Sequence, residues 1–364
     1  MWILDADAYV DYQDILTWRC PSPGTKNGIM YQTCQSPNPI LTDDIVIGVD
    51  FSPGNVFACD RENGKLIWTV NLRSLILYPP IVTPAGVLVC TSSYLWMLEP
   101  ESGKLVWKGP YNPSTLPKVH DDLIIIGDQH GLLDCFDVVG GRHVWSQRVT
   151  RSADPRLNGV PAVLRQNVVI GSNAGVVKCF SISDGKLKWK KRHRRRWSQG
   201  EEFATQVAVF ESGTSAHGLD SETGDTVWKK EFRGFEIRER CKTSQGMSFV
   251  ISDKNRVTVE GSPEMHYSPE CIVGLANGAE QWRLPYEPWP ICRPIWSEAT
   301  GYIYEATRQG LGIIDPNTGR RTVCITNFPT NGDLPDEAVD APLVVDGMIY
   351  CHHCDGSLMA LRHP

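Results

Sequence analysis

Asp60-Arg61-Glu62-Asn63-Gly64-Lys65-Leu66-Ile67-Trp68 opens on an acid, turns at a glycine and closes on a tryptophan. Glu99-Pro100-Glu101-Ser102-Gly103-Lys104-Leu105-Val106-Trp107 and Asp220-Ser221-Glu222-Thr223-Gly224-Asp225-Thr226-Val227-Trp228 say the same thing again. Ser181 to Trp189 is close to it, and Asp137 to Trp145 carries a double glycine. Asp315-Pro316-Asn317-Thr318-Gly319 ends on Val323 where tryptophan is expected. Self-similarity at a period of about 40 residues marks a repeat architecture, in which each unit is one supersecondary motif.

One unit is legible at residues 77–108. Pro80-Ile81-Val82, Val87-Leu88-Val89-Cys90, Leu95-Trp96-Met97-Leu98 and Leu105-Val106-Trp107 are short apolar runs. Ala85-Gly86, Ser92-Ser93 and Glu99 to Gly103 separate them. Apolar runs bounded by Gly, Pro, Ser and Asp read as a four-stranded meander. The acid of the last turn bonds turn amides, and the glycine accepts a positive φ. A lone four-stranded sheet leaves two apolar faces open; radial stacking around an axis covers both, which makes the expected fold an all-β propeller. Each closing tryptophan is expected between neighbouring blades. Cys179, at the same repeat position as Met97 and Ile313, is expected to be a small buried residue.

The closing positions Trp68, Trp107, Trp145, Trp189, Trp228, Trp282 and Val323 give seven blades. The C-terminus adds three strands, at 341–345, 348–351 and 357–361, and stops before a fourth. Ile15-Leu16-Thr17-Trp18 supplies that fourth strand, so eight four-stranded antiparallel blades are expected in one domain spanning 1–364, the ring closed by the N-terminal strand. The long interval between Trp228 and Trp282 predicts an insertion near Gly261 to Pro269.

Proline opens the inner strand at Pro80, Pro117, Pro161, Pro294 and Pro342. Together with the Asp-x-x-Thr/Asn-Gly-Lys-x-x-Trp element, this resembles the pyrroloquinoline-quinone-like (PQQ-like) repeat propellers from Trp18 to Leu361. Members of that family include quinoprotein dehydrogenases, outer-membrane assembly lipoproteins, sensor domains on kinases and propellers fused to adenylating enzymes. The dehydrogenase branch implies calcium beside the quinone, an Asp base and often two adjacent cysteines over the cofactor. This chain has no Cys-Cys pair, so the resemblance implies a branch without quinone or other cofactor.

The segment Met1-Trp2-Ile3-Leu4-Asp5-Ala6-Asp7 carries acids where an export signal needs basic and then apolar residues. Twelve cysteines without such a signal predict free thiols in a cytoplasmic protein. Cys351-His352-His353-Cys354 invites a metal reading, but alternate residues on a strand face opposite ways, and no metal is expected there. The net charge is −6. It conceals a basic run, Lys186, Lys188, Lys190, Lys191, Arg192, Arg194, Arg195 and Arg196, which reads either as a solvated outer strand or as an anion site. A pI near 5.9 argues against a dedicated nucleic-acid binder.

Propellers bind ligands at an axial funnel, lined by the loops entering inner strands and the turns between second and third strands. Those positions give Asp50, Tyr78, Asp128, His130, Arg156, Asn158, Asn173, Arg293, Arg308, Asp340 and His352. Arg156, Arg293 and Arg308, with Tyr78 and His130, are the expected holders of an anionic group, because a guanidinium donates two parallel hydrogen bonds to a planar oxyanion. Asp340 and His352 are the candidates for proton transfer. Two function classes follow. One is a monomeric binding propeller for a small anionic ligand or an acidic protein surface, independent of membranes. The other is a cofactor-independent isomerase, cyclase or lyase of specialised metabolism.

Overall fold

A computed structural model describes residues 6–23, 38–50, 54–192, 198–203, 207–211, 213–244, 246–253, 257–259, 262–267, 270–286, 294–307, 310–328, 342–353 and 356–364. It is an all-β propeller of four-stranded antiparallel units. The first unit runs 40–71, the second 81–110, the third 118–148 and the fourth 157–192; the fifth spans 198–231, the sixth 235–286 and the seventh 295–326. The eighth consists of Leu343–Val345, Met348–His352 and Leu358–Arg362 with Leu16–Cys20 as its outermost strand, in register Leu16↔Leu361 and Trp18↔Ala360.

These strands form seven separate sheets of four or more strands, where the repeat predicts eight blades. The difference lies between the fourth and fifth units, which share one eight-stranded sheet. Pro161, inside Leu157–Leu164, has no N–H to give its ladder, and the register there shifts between Asn158 and Ala162. Val160 pairs instead with Gly200 of the next unit. A second departure is at the N-terminus. Ala8–Asp11 lies parallel along Arg321–Thr326, making the seventh unit five-stranded. The added length of the sixth unit is a two-stranded ribbon of Val257–Val259 and Ser262–Tyr267, at the predicted insertion.

The acid-turn-glycine-tryptophan element is the joint between units. Asp60 Oδ1 accepts from the amides of Glu62 and Asn63 at 2.9 and 3.0 Å, and Asp220 Oδ1 from Glu222 and Thr223 at 2.8 and 2.9 Å. The glycine that follows lies on the tryptophan of the preceding unit. A Cβ on Gly103 would stand 2.6 Å from Trp68 Cε3, and Gly103 has φ +66. Gly64 over Trp18, Gly141 over Trp107, Gly185 over Trp145, Gly224 over Trp189, Gly278 over Trp228 and Gly319 over Trp282 repeat the contact. The indole N–H then donates to a carbonyl of the same turn: Trp68 to Pro100 at 2.8 Å, Trp107 to Val138 at 2.9 Å, Trp145 to Ile182 at 2.7 Å. Trp145 is buried and Trp68, Trp107, Trp189 and Trp228 are half-buried.

Apolar clusters fill the space between consecutive units, for example Ile125, Leu133, Trp145, Val168 and Phe180 between the third and fourth. Trp18, Tyr350 and Leu358 of the eighth unit pack with Val46, Phe57 and Cys59 of the first. Nine described cysteines are free and buried, Cys179 among them. Among the described residues no helix is long and apolar enough to cross a membrane.

Candidate functional site at the upper mouth

The alternation of strands puts the loops entering inner strands and the turns between second and third strands at the same end of every unit, here called the upper face. Two of the acids expected there, Asp50 and Asp128, anchor turns. Asp50 accepts from Ser22 Oγ at 2.6 Å and Asn55 Nδ2 at 3.1 Å. Burial raises its carboxyl from the ordinary value, and those two hydrogen bonds pull it back in part. Asp128 Oδ1 accepts the amides of His130 at 2.9 Å and Leu132 at 2.7 Å. Thr91 and Ser172 fill the same place in their units, bonding Tyr94 and Val176.

Arg156 is exposed and its guanidinium is held by Asp154, Nε to Oδ1 at 2.9 Å and Nη2 to Oδ2 at 3.4 Å. Asn173 Nδ2 donates to the same carboxylate at 2.9 Å, and the Asn173 amide bonds the Arg156 carbonyl at 3.2 Å. Ser152 Oγ ties the Asp154 carbonyl at 2.6 Å. Two predicted residues, Arg156 and Asn173, are thus joined through Asp154. Its signal in the sequence is the turn Asp154-Pro155-Arg156 between two strands. The Nη1 group of Arg156 has no partner among the described residues.

Tyr78 is half-buried against the cluster of Leu88, Cys90 and Ile124, and burial raises its phenol to about 12. His130 is exposed, its carbonyl taken by Arg148 Nη1 at 3.0 Å. His352 stands apart from the mouth loops. It is 2% exposed, between the eighth and first units, its ring edge-on to Phe57 at 6.1 Å. Gly48 makes room for it: a Cβ there would lie 2.7 Å from His352 Cε1. Burial lowers the imidazole to about 4, against a hydrogen bond to the Gly356 backbone that raises it, so the ring is neutral near pH 7. Its Nε2 is buried without a hydrogen-bond partner among the described residues. Arg293, Arg308 and Asp340, and the side chain of Asn158, lie outside the described residues.

The buried carboxylates do not converge. Asp134 accepts from the Tyr111 hydroxyl at 2.9 Å, and Glu305 is paired with Arg321 inside the seventh unit. Asp50, Asp128, Asp134 and Glu305 belong to different sheets or to separate turns, and no three His, Cys, Asp or Glu side chains among the described residues are placed to hold a metal ion. In the Cys351-His352-His353-Cys354 stretch, Cys351, His352 and His353 are buried and Cys354 lies outside the described residues.

A family model described as outer membrane protein assembly factor BamB matches residues 35–192 and, in a second overlapping register, 91–322. The chain belongs to this family of PQQ-like repeat propellers. The overlap of the two matches is itself the mark of the internal repeat. No curated protein sequence matches the chain. Among solved structures, the computationally designed Ika8 protein is similar at 13% identity and TM-score 0.70, covering 96% of this chain and 99% of its own. The quinohemoprotein alcohol dehydrogenase ADHIIG of Pseudomonas putida HK5 is similar at 10% identity and TM-score 0.68, with 95% of this chain and 76% of that chain covered. The quinohemoprotein alcohol dehydrogenase of Comamonas testosteroni gives 13% identity, TM-score 0.65 and coverage of 96% and 76%. Identities this low establish a shared fold.

Proposed function

We propose that the chain is a single-domain binding propeller that holds a small anionic ligand at its upper mouth, without quinone and without catalysis. The observation that carries this reading is the Arg156–Asp154–Asn173 network. The carboxylate fixes the plane of the guanidinium, and Asn173 fixes the carboxylate, so little side-chain entropy is lost when an oxyanion arrives. Arg293 and Arg308 are its proposed companions from other units, with Tyr78 and His130 at the rim. The family's description as an assembly factor supports a binding role. The neutral, enclosed imidazole of His352 supports it too, since an enzyme reading would need that ring at the mouth. We further take the ring to close through Leu16–Cys20, and the compartment to be the reducing cytoplasm, which nine free buried thiols support.

Titration calorimetry with citrate as the probe tests the site. Arg156→Ala should weaken citrate binding by about tenfold or more with the melting temperature unchanged, and Asp154→Asn should weaken it less. Undiminished binding by both variants overturns the reading.

A further inference from the structure

We propose a second, independent oxyanion site on the face that the fourth unit turns toward the third, built by Lys178, Lys190 and Arg192 with Arg148 and Arg151 at its rim, and taking a phosphate group. Along Val176–Ser181, Val177 and Cys179 pack with Leu219 of the fifth unit, while Phe180 packs with Ile125 and Leu133 of the third. Lys178 therefore faces the third unit. Its Nζ donates to the Arg148 carbonyl at 2.6 Å and lies 5.9 Å from the Phe180 ring centre. On the outer strand Leu187–Arg192, Lys190 is directly opposite Lys178 and Arg192 opposite Val176, so both share that face.

The other described basic residues of this strand and its turn each have an acidic partner. Lys186 meets Asp184 at 2.8 Å and Lys191 meets Asp225 at 3.5 Å. Lys188, in the β-bulge opposite Cys179 and Phe180, reaches Glu222 at 3.6 Å. By contrast, no described carboxylate pairs with Arg148, Arg151, Lys178, Lys190 or Arg192. Like charges directly opposite on a sheet destabilise it. The Lys178 ammonium feels this: burial lowers its pKa first, then the charges of Lys190 and Arg151.

The repeat supplies an internal control. At the same register, Lys108 of the second unit lies 4.8 Å over Trp96. In the fifth, Lys229 bonds Glu231 at 2.5 Å. Arg283 of the sixth meets Glu280 at 3.0 Å, and Arg19 of the eighth donates to Ser357 Oγ at 2.8 Å. Among the described residues only the fourth unit sets two lysines opposite each other with no acid between them. A chain with 42 acids and 36 lysines and arginines is not short of carboxylates, so the gap is local. A phosphate group brings about two negative charges and three acceptor oxygens, matching two ammonium groups and a guanidinium; one carboxylate would leave cations unmatched.

Calorimetry at low ionic strength, with inorganic phosphate and phenyl phosphate as probes, tests this. Saturable binding is expected, weakened about tenfold or more by Lys190→Gln and Arg192→Gln and unaffected by Lys65→Gln at an exposed turn residue, whereas a loss seen with Arg156→Ala in their place would put the phosphate at the mouth and overturn this site. Tighter binding of phenyl phosphate identifies a phosphate ester as the ligand, and equal binding identifies free phosphate. Melting curves give a second readout. Without phosphate, Lys190→Gln should melt at or above the wild-type temperature, because repulsion is relieved; with millimolar phosphate, wild type should gain and the variant should not. Equal phosphate affinity in wild type and Lys190→Gln, or an equal gain from chloride at matched ionic strength, overturns the site.

Discussion

Gly48 and His352 come from opposite ends of the chain and use one space. The imidazole fills the volume that a side chain at 48 would occupy, and the enclosure keeps it neutral. A sign follows for acid stability. The unfolded chain takes up a proton on this histidine as pH falls below 6.5, whereas the folded protein resists until about 4. More protons are then bound by the unfolded state, so stability present above pH 6.5 is lost between those values and the loss is complete near 4. The full span is at most about 3 kcal/mol. Denaturant titrations at pH 7 and pH 4.5 should show a smaller acid loss for His352→Leu than for wild type; equal losses would mean the ring is charged in the fold. The sequence did hold a signal for this residue. A lone glycine inside the apolar strand Ile47-Gly48-Val49 marks a close approach by something else. The apolar run from Met348 stops at Cys351, one residue short of the strand Met348–His352, so its pattern places His352 in the turn that follows.

At the scale of elements, the turn between third and outer strands was the most legible feature, because the same three demands recur in unit after unit. The acid must accept turn amides, the glycine must adopt positive φ, and the tryptophan must have a flat surface to meet. Gly103→Ala violates the last two together. The left-handed φ costs about 1 kcal/mol, and a methyl group 2.6 Å from the Trp68 ring adds an overpacking cost of about 1–3 kcal/mol. Equilibrium unfolding should therefore show a loss of about 2–4 kcal/mol, and a neutral substitution would mean that the two units are not joined through this contact. Other elements were hidden for identifiable reasons. The bulge opposite Cys179 and Phe180 lets Lys188 turn to the fifth unit, so a basic run that looks uniform divides into paired and unpaired cations. Pro161 marks an inner strand, yet its missing N–H also frees Val160 to bridge the next sheet, which pattern reading does not reveal. Among the described mouth residues, Arg156 and Asn173 are expected separately from strand counting, and Asp154, which joins them, carries only the turn signal of Asp154-Pro155-Arg156.

At the scale of the whole molecule, the N-terminal segment holds two units at once. Ala8–Asp11 covers the outer edge of the seventh, with Arg320 bonded to Asp7 and Asn327 to Asp11. Tyr12 then stacks on Phe328 at 5.1 Å, and Leu16–Cys20 completes the eighth. Trp18 carries the joint onward to the first unit, against Gly64 and the Arg61 carbonyl at 2.8 Å. In a radial fold each unit is covered by two neighbours, so loss of the last strand exposes the edge of Leu358–Arg362 and uncovers part of Val46, Phe57 and Cys59. Deletion of residues 1–20 should lower the melting temperature on the order of 10 °C and promote aggregation through the bared edges. Trp18→Ala leaves the strand in place and removes only the indole, so its cost should be smaller, about 3–5 kcal/mol. That ordering separates two explanations of stability. If the ring is held by the N-terminal strand, deletion is worse than Trp18→Ala, and both are worse than a substitution at an exposed residue such as Lys65. A deleted protein that melts with wild type would show that the eighth unit stands on three strands alone.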